Sequence, residues 1–291
     1  MNSVAPRTCP FCDGPAGAAA FPYASRFAGE TYAYSACRDC GTRFIDPLPS
    51  DSVFARIYAP SEYHDEFYDD EAGQGDYAAT AALLARHLPK GARVLDYGCG
   101  AGHLLTALRA QGFDASGAEF SGDAARNAAA RSGCTAHDLS DPAWPHGESW
   151  DCVHFGDVIE HLTDPKAVLS AALGWLKPGG WLSATGPLEA NPSVVNAAAA
   201  AVGGIKRTMK PGAIAEFPPY HLLFTTAAAQ RGLFARLGAP LTELVWEVEE
   251  TGWPYRDNGA VRNIVALSAI AAAKVLPGWG NRFRALYRTE G

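Results

Sequence analysis

No stretch of this chain is both long and apolar enough to cross a bilayer. The longest apolar run near the C-terminus, Asn263–Ala273, is closed off by Arg262 and Lys274 and falls short of the ~20 residues a spanning helix needs. A buried helix is the reading it supports. Clustered positive charge is missing too, since 24 Lys and Arg stand against 31 Asp and Glu, for a net charge of −7. Within residues 1–50, Arg7, Arg26, Arg38 and Arg43 are cancelled by Asp13, Glu30, Asp39 and Asp46. Phosphate backbones are gripped by clustered Lys and Arg, so a nucleic-acid partner is disfavoured. No secretory leader is recognisable ahead of the first cysteine, so a reducing, cytoplasmic setting is expected, where cysteines stay thiols or ligate metal.

With 48% hydrophobic and 19% charged residues, the 291 positions suit one globular α/β domain with a small N-terminal module and a C-terminal elaboration. Cys9-Pro10-Phe11-Cys12 and Cys37-Arg38-Asp39-Cys40-Gly41 form two C-x-x-C pairs separated by 24 residues. That spacing suits a closed four-thiolate zinc site, which holds shape rather than doing chemistry. Two disulfides or a redox dithiol are the alternatives. The remaining Cys99, Cys134 and Cys152 fall in strands or turns.

The most informative stretch is Val94-Leu95-Asp96-Tyr97-Gly98-Cys99-Gly100-Ala101-Gly102-His103, a buried strand running into a glycine turn that opens a helix. Glycines at 98, 100 and 102 let backbone amides approach a ligand that any Cβ would shield. A dinucleotide site asks for G-x-G-x-x-G, and counted from Gly100 its last position here is Leu105. After the helix Leu104–Ala110 comes the strand Asp114–Phe120, in which Glu119 lies about 20 residues past the turn, where an α/β nucleoside site places the acid that grips ribose hydroxyls. A helix-capping role is the bland alternative for Glu119. A third unit, Cys134–Leu139, ends in Asp138, and a fourth strand, Asp151–Phe155, leads into Gly156-Asp157-Val158-Ile159-Glu160-His161-Leu162.

The order strand, acid, G-x-G-x-G resembles the first motif of class I S-adenosylmethionine (SAM) dependent methyltransferases. Glu160-His161-Leu162 and Lys177-Pro178-Gly179-Gly180 resemble the E-H-[LIV] and K-P-G-G of the small-molecule branch. The resemblance covers most of residues 9–240. It implies a Rossmann-like seven-stranded sheet with its last strand antiparallel, and SAM held by Asp96, Gly98, Gly100, Gly102, Glu119, Phe120 flanking the adenine, Asp138 on the adenine amino group, Gly156 and Asp157. The N/D-P-P-Y of enzymes that methylate adenine or glutamine nitrogens is absent, Gly156-Asp157-Val158-Ile159 standing in its place.

Past the fifth strand, Trp181–Thr185, the run Glu216–Thr226 resembles the acceptor-side segment of methyltransferases with N-terminal cysteine pairs that act on nucleotide-linked sugars and polysaccharide precursors. Sugar C-methylating members carry E-H-L-S-Y-F there; here Tyr220 replaces the Glu, Leu223 and Phe224 replace the Ser and Tyr, and His221 is kept. A histidine suits proton removal near neutral pH, so His221 is the first candidate base, with His161 and Tyr220 behind it. A His221 that merely caps the helix Thr226–Leu237 is the alternative.

The expected organisation is a zinc-ribbon-like module over 1–50, an acidic and aromatic linker or lid over 51–80, and a methyltransferase domain over 81–291. In the linker, Tyr58, Tyr63, His64, Glu66, Phe67, Tyr68, Asp69, Asp70, Glu71 and Tyr77 would repel a polyanion and could stack on a sugar ring; a solvated helix is the other reading. A strand Leu241–Glu249, a turn Trp253–Asn258, a helix Ala260–Val275 and a final strand Arg282–Arg288 are expected to close the sheet. Lys206, Arg207 and Lys210 follow an alanine-rich apolar helix, Ser193–Val202, which leaves peripheral membrane attachment open. The function implied is O-methylation of a sugar, polysaccharide precursor or secondary metabolite. The competing readings are a sugar C-methyltransferase, a zinc-ribbon RNA methylase and a SAM-binding protein without turnover.

Overall fold

The computed structural model describes residues 8–57, 74–141, 144, 149–210, 212 and 214–290. Residues 58–73, which carry Tyr58, Tyr63, His64, Glu66, Phe67, Tyr68, Asp69, Asp70 and Glu71 of the expected lid, lie outside them. Four short strands come first, β1 (Ala16–Ala18), β2 (Ser25–Phe27), β3 (Glu30–Cys37) and β4 (Arg43–Asp46), followed by helices α1 (Asp51–Ile57) and α2 (Gln74–Ala85). The chain then alternates strand and helix: β5 (Arg93–Tyr97), α3 (His103–Ala110), β6 (Asp114–Glu119), α4 (Gly122–Ser132), β7 (Thr135–Asp138), β8 (Trp150–Gly156), α5 (Pro165–Leu173) and β9 (Leu176–Pro187). It ends with α6 (Val194–Met209), β10 (Ala215–Glu216), β11 (Leu223–Phe224), α7 (Ala227–Phe234), β12 (Leu241–Glu249), α8 (Ala260–Ala273) and β13 (Arg282–Thr289).

The main sheet has seven strands in the order β12-β13-β9-β8-β5-β6-β7. β5 to β9 pair in parallel, while β13 runs antiparallel to both β9 and β12, the Rossmann-like arrangement expected. Val94, Leu95 and Asp96 of central β5 are all buried, as a strand covered on both faces must be. Helix starts follow capping chemistry: Ser121, Asp164 and Thr226 each accept a backbone N–H in the first turn of α4, α5 and α7. Thr226, not His221, therefore caps the helix after the acceptor segment.

Two elements outrun expectation. The fifth strand begins at Leu176, which pairs with Trp150; the next partners are Cys152 and Trp181, so Lys177–Gly180 bulges between them. The alanine-rich helix continues seven residues beyond Val202, through Gly203 and Gly204; the Tyr23 ring lies against Gly203, where a larger side chain would collide.

The N-terminal strands do not stand alone. Their sheet runs β10-β2-β3-β4-β11, with β1 also on β3, so two of its strands come from residues 215–224. A single core runs from Phe11, Tyr32, Phe44 and Ile45 through Leu222 and Phe234 to Val153, Leu182 and Phe283. Arg236 adds a hydrogen bond of 3.1 Å to the Phe11 carbonyl. Two sheets sharing one core should melt together. All seven tryptophans lie beyond residue 140 and none is in the strands of the N-terminal sheet, so their fluorescence reports the rest of the chain. Truncating fully buried Phe44 to Ala should lower stability by about 3–5 kcal/mol and shift the tryptophan-detected urea midpoint with it; an unmoved tryptophan transition would mean that the module unfolds on its own.

Candidate active site

Asp96, Glu119, Asp138 and Gly156 sit at the carboxyl ends of four adjacent parallel strands, where open α/β sheets bind ligands. The glycine turn is pinned to the neighbouring strand, since the N–H groups of Gly98 and Cys99 both donate to the Ala118 carbonyl, at 2.7 and 3.1 Å. Gly98 and Gly102 both adopt φ 79°, and a Cβ at Gly102 would meet the Ala128 carbonyl oxygen at 2.8 Å. The turn has no room for other residues. Glu119 spans its mouth, accepting from the N–H of Gly100 at 2.9 Å and of Phe120 at 2.7 Å.

Asp96 is buried, and that burial, with repulsion from Glu119 as the lesser cause, raises its carboxyl to about 7. Among the described residues no cationic side chain pairs with either acid. The Phe120 ring is exposed and meets the Phe54 ring edge-on at 6.0 Å. Asp138, at the surface, turns one oxygen onto the Ser140 N–H and hydroxyl, at 2.8 and 2.6 Å, which hold its carboxyl below the usual range. Asp157 takes a positive φ of 53° just after β8 and receives the Arg282 guanidinium at 2.9 Å. Burial works against its ionised form, but the charge and hydrogen bond of Arg282 outweigh it and keep the carboxyl low.

The three catalytic candidates are brought together from two distant segments. A short 3₁₀ turn, Ile159–His161, meets the segment 217–224, and the His161 and His221 rings lie edge to face, 4.9 Å apart. His161 Nδ1 is 2.7 Å from the Tyr220 carbonyl, while His221 Nδ1 is 2.7 Å from Glu189 Oε2. Those partners assign a ring proton to Nδ1 in both, and His161 Nε2 lies 3.9 Å from Glu160 Oε1. Burial would push His221 down, but the Glu189 carboxylate overrides it by charge and hydrogen bond and lifts it to about 9. Burial, then the positive charge of His221, push His161 down to about 3. Burial, then Asp157, raise neighbouring Glu160 to about 8. The Tyr34 hydroxyl of β3 donates to the His221 carbonyl at 2.9 Å.

Sequence reasoning quoted Glu160 in a motif without giving it a role, and it missed Glu189, Arg282 and Tyr34. Glu189 carried a signal, a carboxylate just beyond the carboxyl end of a central strand; Tyr34 carried none, since its position depends on the pairing of two short strands.

Near the N-terminus, the Sγ atoms of Cys9, Cys12, Cys37 and Cys40 all lie within 4.8 Å of one another. Cys9 to Cys40 is 3.6 Å and Cys12 to Cys37 is 3.5 Å, far beyond a disulfide and near the ~3.8 Å edge of a tetrahedron with 2.3 Å arms. The Phe11 N–H points at Cys9 Sγ at 3.4 Å, and the Thr42 hydroxyl is 3.2 Å from Cys40 Sγ; both favour thiolate. All four cysteines are free of disulfides.

A family model described as a methyltransferase domain matches residues 70–217. The chain belongs to that family. A ubiquinone biosynthesis O-methyltransferase of Bordetella avium is 36% identical over 100 residues, which are 32% of this chain and 42% of that protein. The counterpart from Dinoroseobacter shibae is 39% identical over 97 residues, 31% of this chain and 39% of its own. The chain thus spans about two-fifths of the length of these curated relatives. Among solved structures, the plantazolicin methyltransferase BpumL in complex with SAH superposes with TM-score 0.51 at 12% identity, covering 82% of this chain and 94% of that one. At that identity the likeness is one of fold.

The raised Asp96 carboxyl has a cost in the methyltransferase domain's own stability. An unfolded Asp titrates near ~3.9, so a folded pKa of about 7 means the native state holds the proton more tightly. The resulting penalty is absent below pH ~4, grows up to about 7 and stays constant above. Asp96→Asn should therefore stabilise the ligand-free protein by an amount that grows across that window to on the order of 1–3 kcal/mol. Urea midpoints at acid and alkaline pH measure it, and an advantage that does not change with pH would show that the buried carboxyl is already compensated.

Proposed function

We propose that the chain is a SAM-dependent methyltransferase that transfers a methyl group to a hydroxyl of a small acceptor, with His221 as the base. The Glu189–His221 pair carries this reading. A sulfonium supplies a methyl already activated for transfer, so the protein's task is to align the partners, exclude water and take the hydroxyl proton. What supports that ligand is that Asp96 and Glu119 are two acids with no cationic partner among the described residues, suited to a group that bears positive charge, with Glu119 as the acid for the ribose hydroxyls and the exposed Phe120 ring as a flank for a base. Gly98, Gly100 and Gly102 would cradle it; Asp138 lies at the adjacent strand end, while Gly156 and Asp157 shape the wall towards the histidines.

On the acceptor side, Glu189 fixes the His221 tautomer so that Nε2 is the accepting atom, and its charge stabilises the imidazolium formed when the proton arrives. His161, held neutral by burial and oriented by the Tyr220 carbonyl, offers a second polar edge for positioning the acceptor. The O-methyltransferase names of the relatives support oxygen as the accepting atom; a sugar, polysaccharide-precursor or secondary-metabolite hydroxyl is our reading of the acceptor-side segment. Nucleic acid is a poorer fit, because Arg26 of the module is paired with Glu216 and Lys166 beside it with Asp13.

With any hydroxyl acceptor that supports SAH release, His221→Ala should lower the rate about 10²–10⁴-fold while leaving SAM affinity unchanged. The parent rate should climb with pH through a midpoint near 9 and level off above it, as His221 loses its proton. Glu189→Gln should lower the plateau and move the climbing limb to lower pH, because the carboxylate that raises His221 is gone. A limb that stays in place in Glu189→Gln would assign the base elsewhere.

We further propose a structural zinc ion on Cys9, Cys12, Cys37 and Cys40, with no open position for chemistry. Metal analysis should find about one zinc per chain, reduced in Cys37→Ser, and chelation should lower the melting temperature. Metal-free native protein in which all four thiols react rapidly with a thiol reagent would exclude it.

A further inference from the structure

Twelve large apolar side chains are exposed among the described residues, and nine of them fall in two segments, 194–210 and 253–279. These segments hold α6 and α8, which pack against each other. Over their combined 30 helical residues only Val195, Ala266 and Ala269 are buried. The burial runs opposite to that of an ordinary surface helix, whose large apolar residues face the core. In α8 the inward side holds alanines, whereas Val261 (77% exposed), Ile264 (64%) and Leu267 lie on the outward arc. In α6, Val202, Ile205 (59%) and Met209 (76%) recur at i, i+3 and i+7, on the side away from Tyr23, which touches Ala200, Gly203 and Arg207.

Charge on the same two segments is equally lopsided. They carry six cations, Lys206, Arg207, Lys210, Arg256, Arg262 and Lys274, against one carboxylate, Asp257, which pairs with Arg256 at 3.8 Å. This local excess sits in a chain whose net charge is −7. Exposed Trp253 lies at the edge of the patch in sequence, and tryptophan favours the boundary between water and hydrocarbon. No helix of the described residues is long and apolar enough to cross a membrane, so such a face would lie on a surface rather than enter it.

We propose that α6 and α8 together dock flat on an anionic phospholipid bilayer, their outward Val, Ile, Leu and Met side chains entering the headgroup boundary and the surrounding lysines and arginines meeting lipid phosphates. The charge excess argues against a second copy of this chain as occupant, since a two-fold contact across this face would oppose cation to cation. The proposal does not depend on the methyl acceptor, but it places the stretch Glu189–Ser193, which leads into α6, beside the lipid.

Vesicle flotation of the full chain tests it directly. Recovery on vesicles containing phosphatidylserine should exceed that on pure phosphatidylcholine by about ten-fold or more at low ionic strength, and fall steeply near ~0.5 M salt. The exposed double variant Val261→Glu/Ile264→Glu should lose recovery with an unchanged melting temperature, and Lys206→Glu/Lys210→Glu should lose the preference for anionic vesicles. Equal recovery on both vesicles, or none on either, overturns the proposal. So does a concentration-dependent dimer that Ile264→Glu dissociates, which would give the face to a second copy.

Discussion

The arrangement turns on one residue's backbone. The Leu222 N–H donates to the Glu160 carbonyl at 2.9 Å, and the Leu222 carbonyl accepts from the Ile45 N–H, also at 2.9 Å. One peptide unit thus faces the main sheet and the next faces the module's sheet. His221, immediately before, has its carbonyl held by Tyr34 and its ring by Glu189. Neither sheet alone fixes the imidazole. The position of the candidate base is set by the register between β4 and β11, Leu223 opposite Phe44 and Phe224 opposite Arg43, which in turn requires the module to be folded.

Competition between burial and charge then sorts four adjacent titratable groups. Glu160 is buried and the other three are partly so, a condition that by itself disfavours every charged form. Arg282 keeps Asp157 ionised despite that, and Glu189 keeps His221 protonated to about 9. At Glu160 and His161 burial is the largest influence and prevails: the acid rises to about 8 and the histidine falls to about 3. At neutral pH the site therefore combines one ion pair, one imidazolium–carboxylate pair and two neutral groups. Environments that drive neighbouring pKa values apart in this way mark acid–base sites.

Most of the main sheet was legible in the sequence because its strands are largely apolar runs ending in glycine or acid, as at Val94–Gly98 and Cys152–Gly156. The paired cysteines announced their cluster by spacing alone. What escaped depends on tertiary contact. Leu176 joins the ladder opposite Trp150 only because Lys177–Gly180 bulges out before pairing resumes at Trp181. Ala215–Glu216 and Leu223–Phe224 are too short to show a strand period, and they exist as strands only because β2 and β4 offer them edges. Glu189 could be read as one more loop acid until His221 was placed against it. The site residues found by motif are those fixed by local chain geometry; those missed are fixed by long-range register.

That dependence gives the proposed zinc site a consequence for catalysis although it does no chemistry. A two-residue strand contributes only a few backbone hydrogen bonds, each worth about 1 kcal/mol net, and so small a pairing does not order itself in water. Its order is borrowed from β3 and β4. The second cysteine knuckle joins those strands, with Cys37 ending β3 and Cys40 three residues ahead of β4, and the Thr226 hydroxyl that caps α7 also contacts the Cys40 carbonyl at 3.4 Å. Structural zinc contributes apparent binding energies of about 10–16 kcal/mol in small four-ligand modules, several times what β11 supplies. Four thiolates closed on an ion would thus hold rigid the frame against which His221 is aimed.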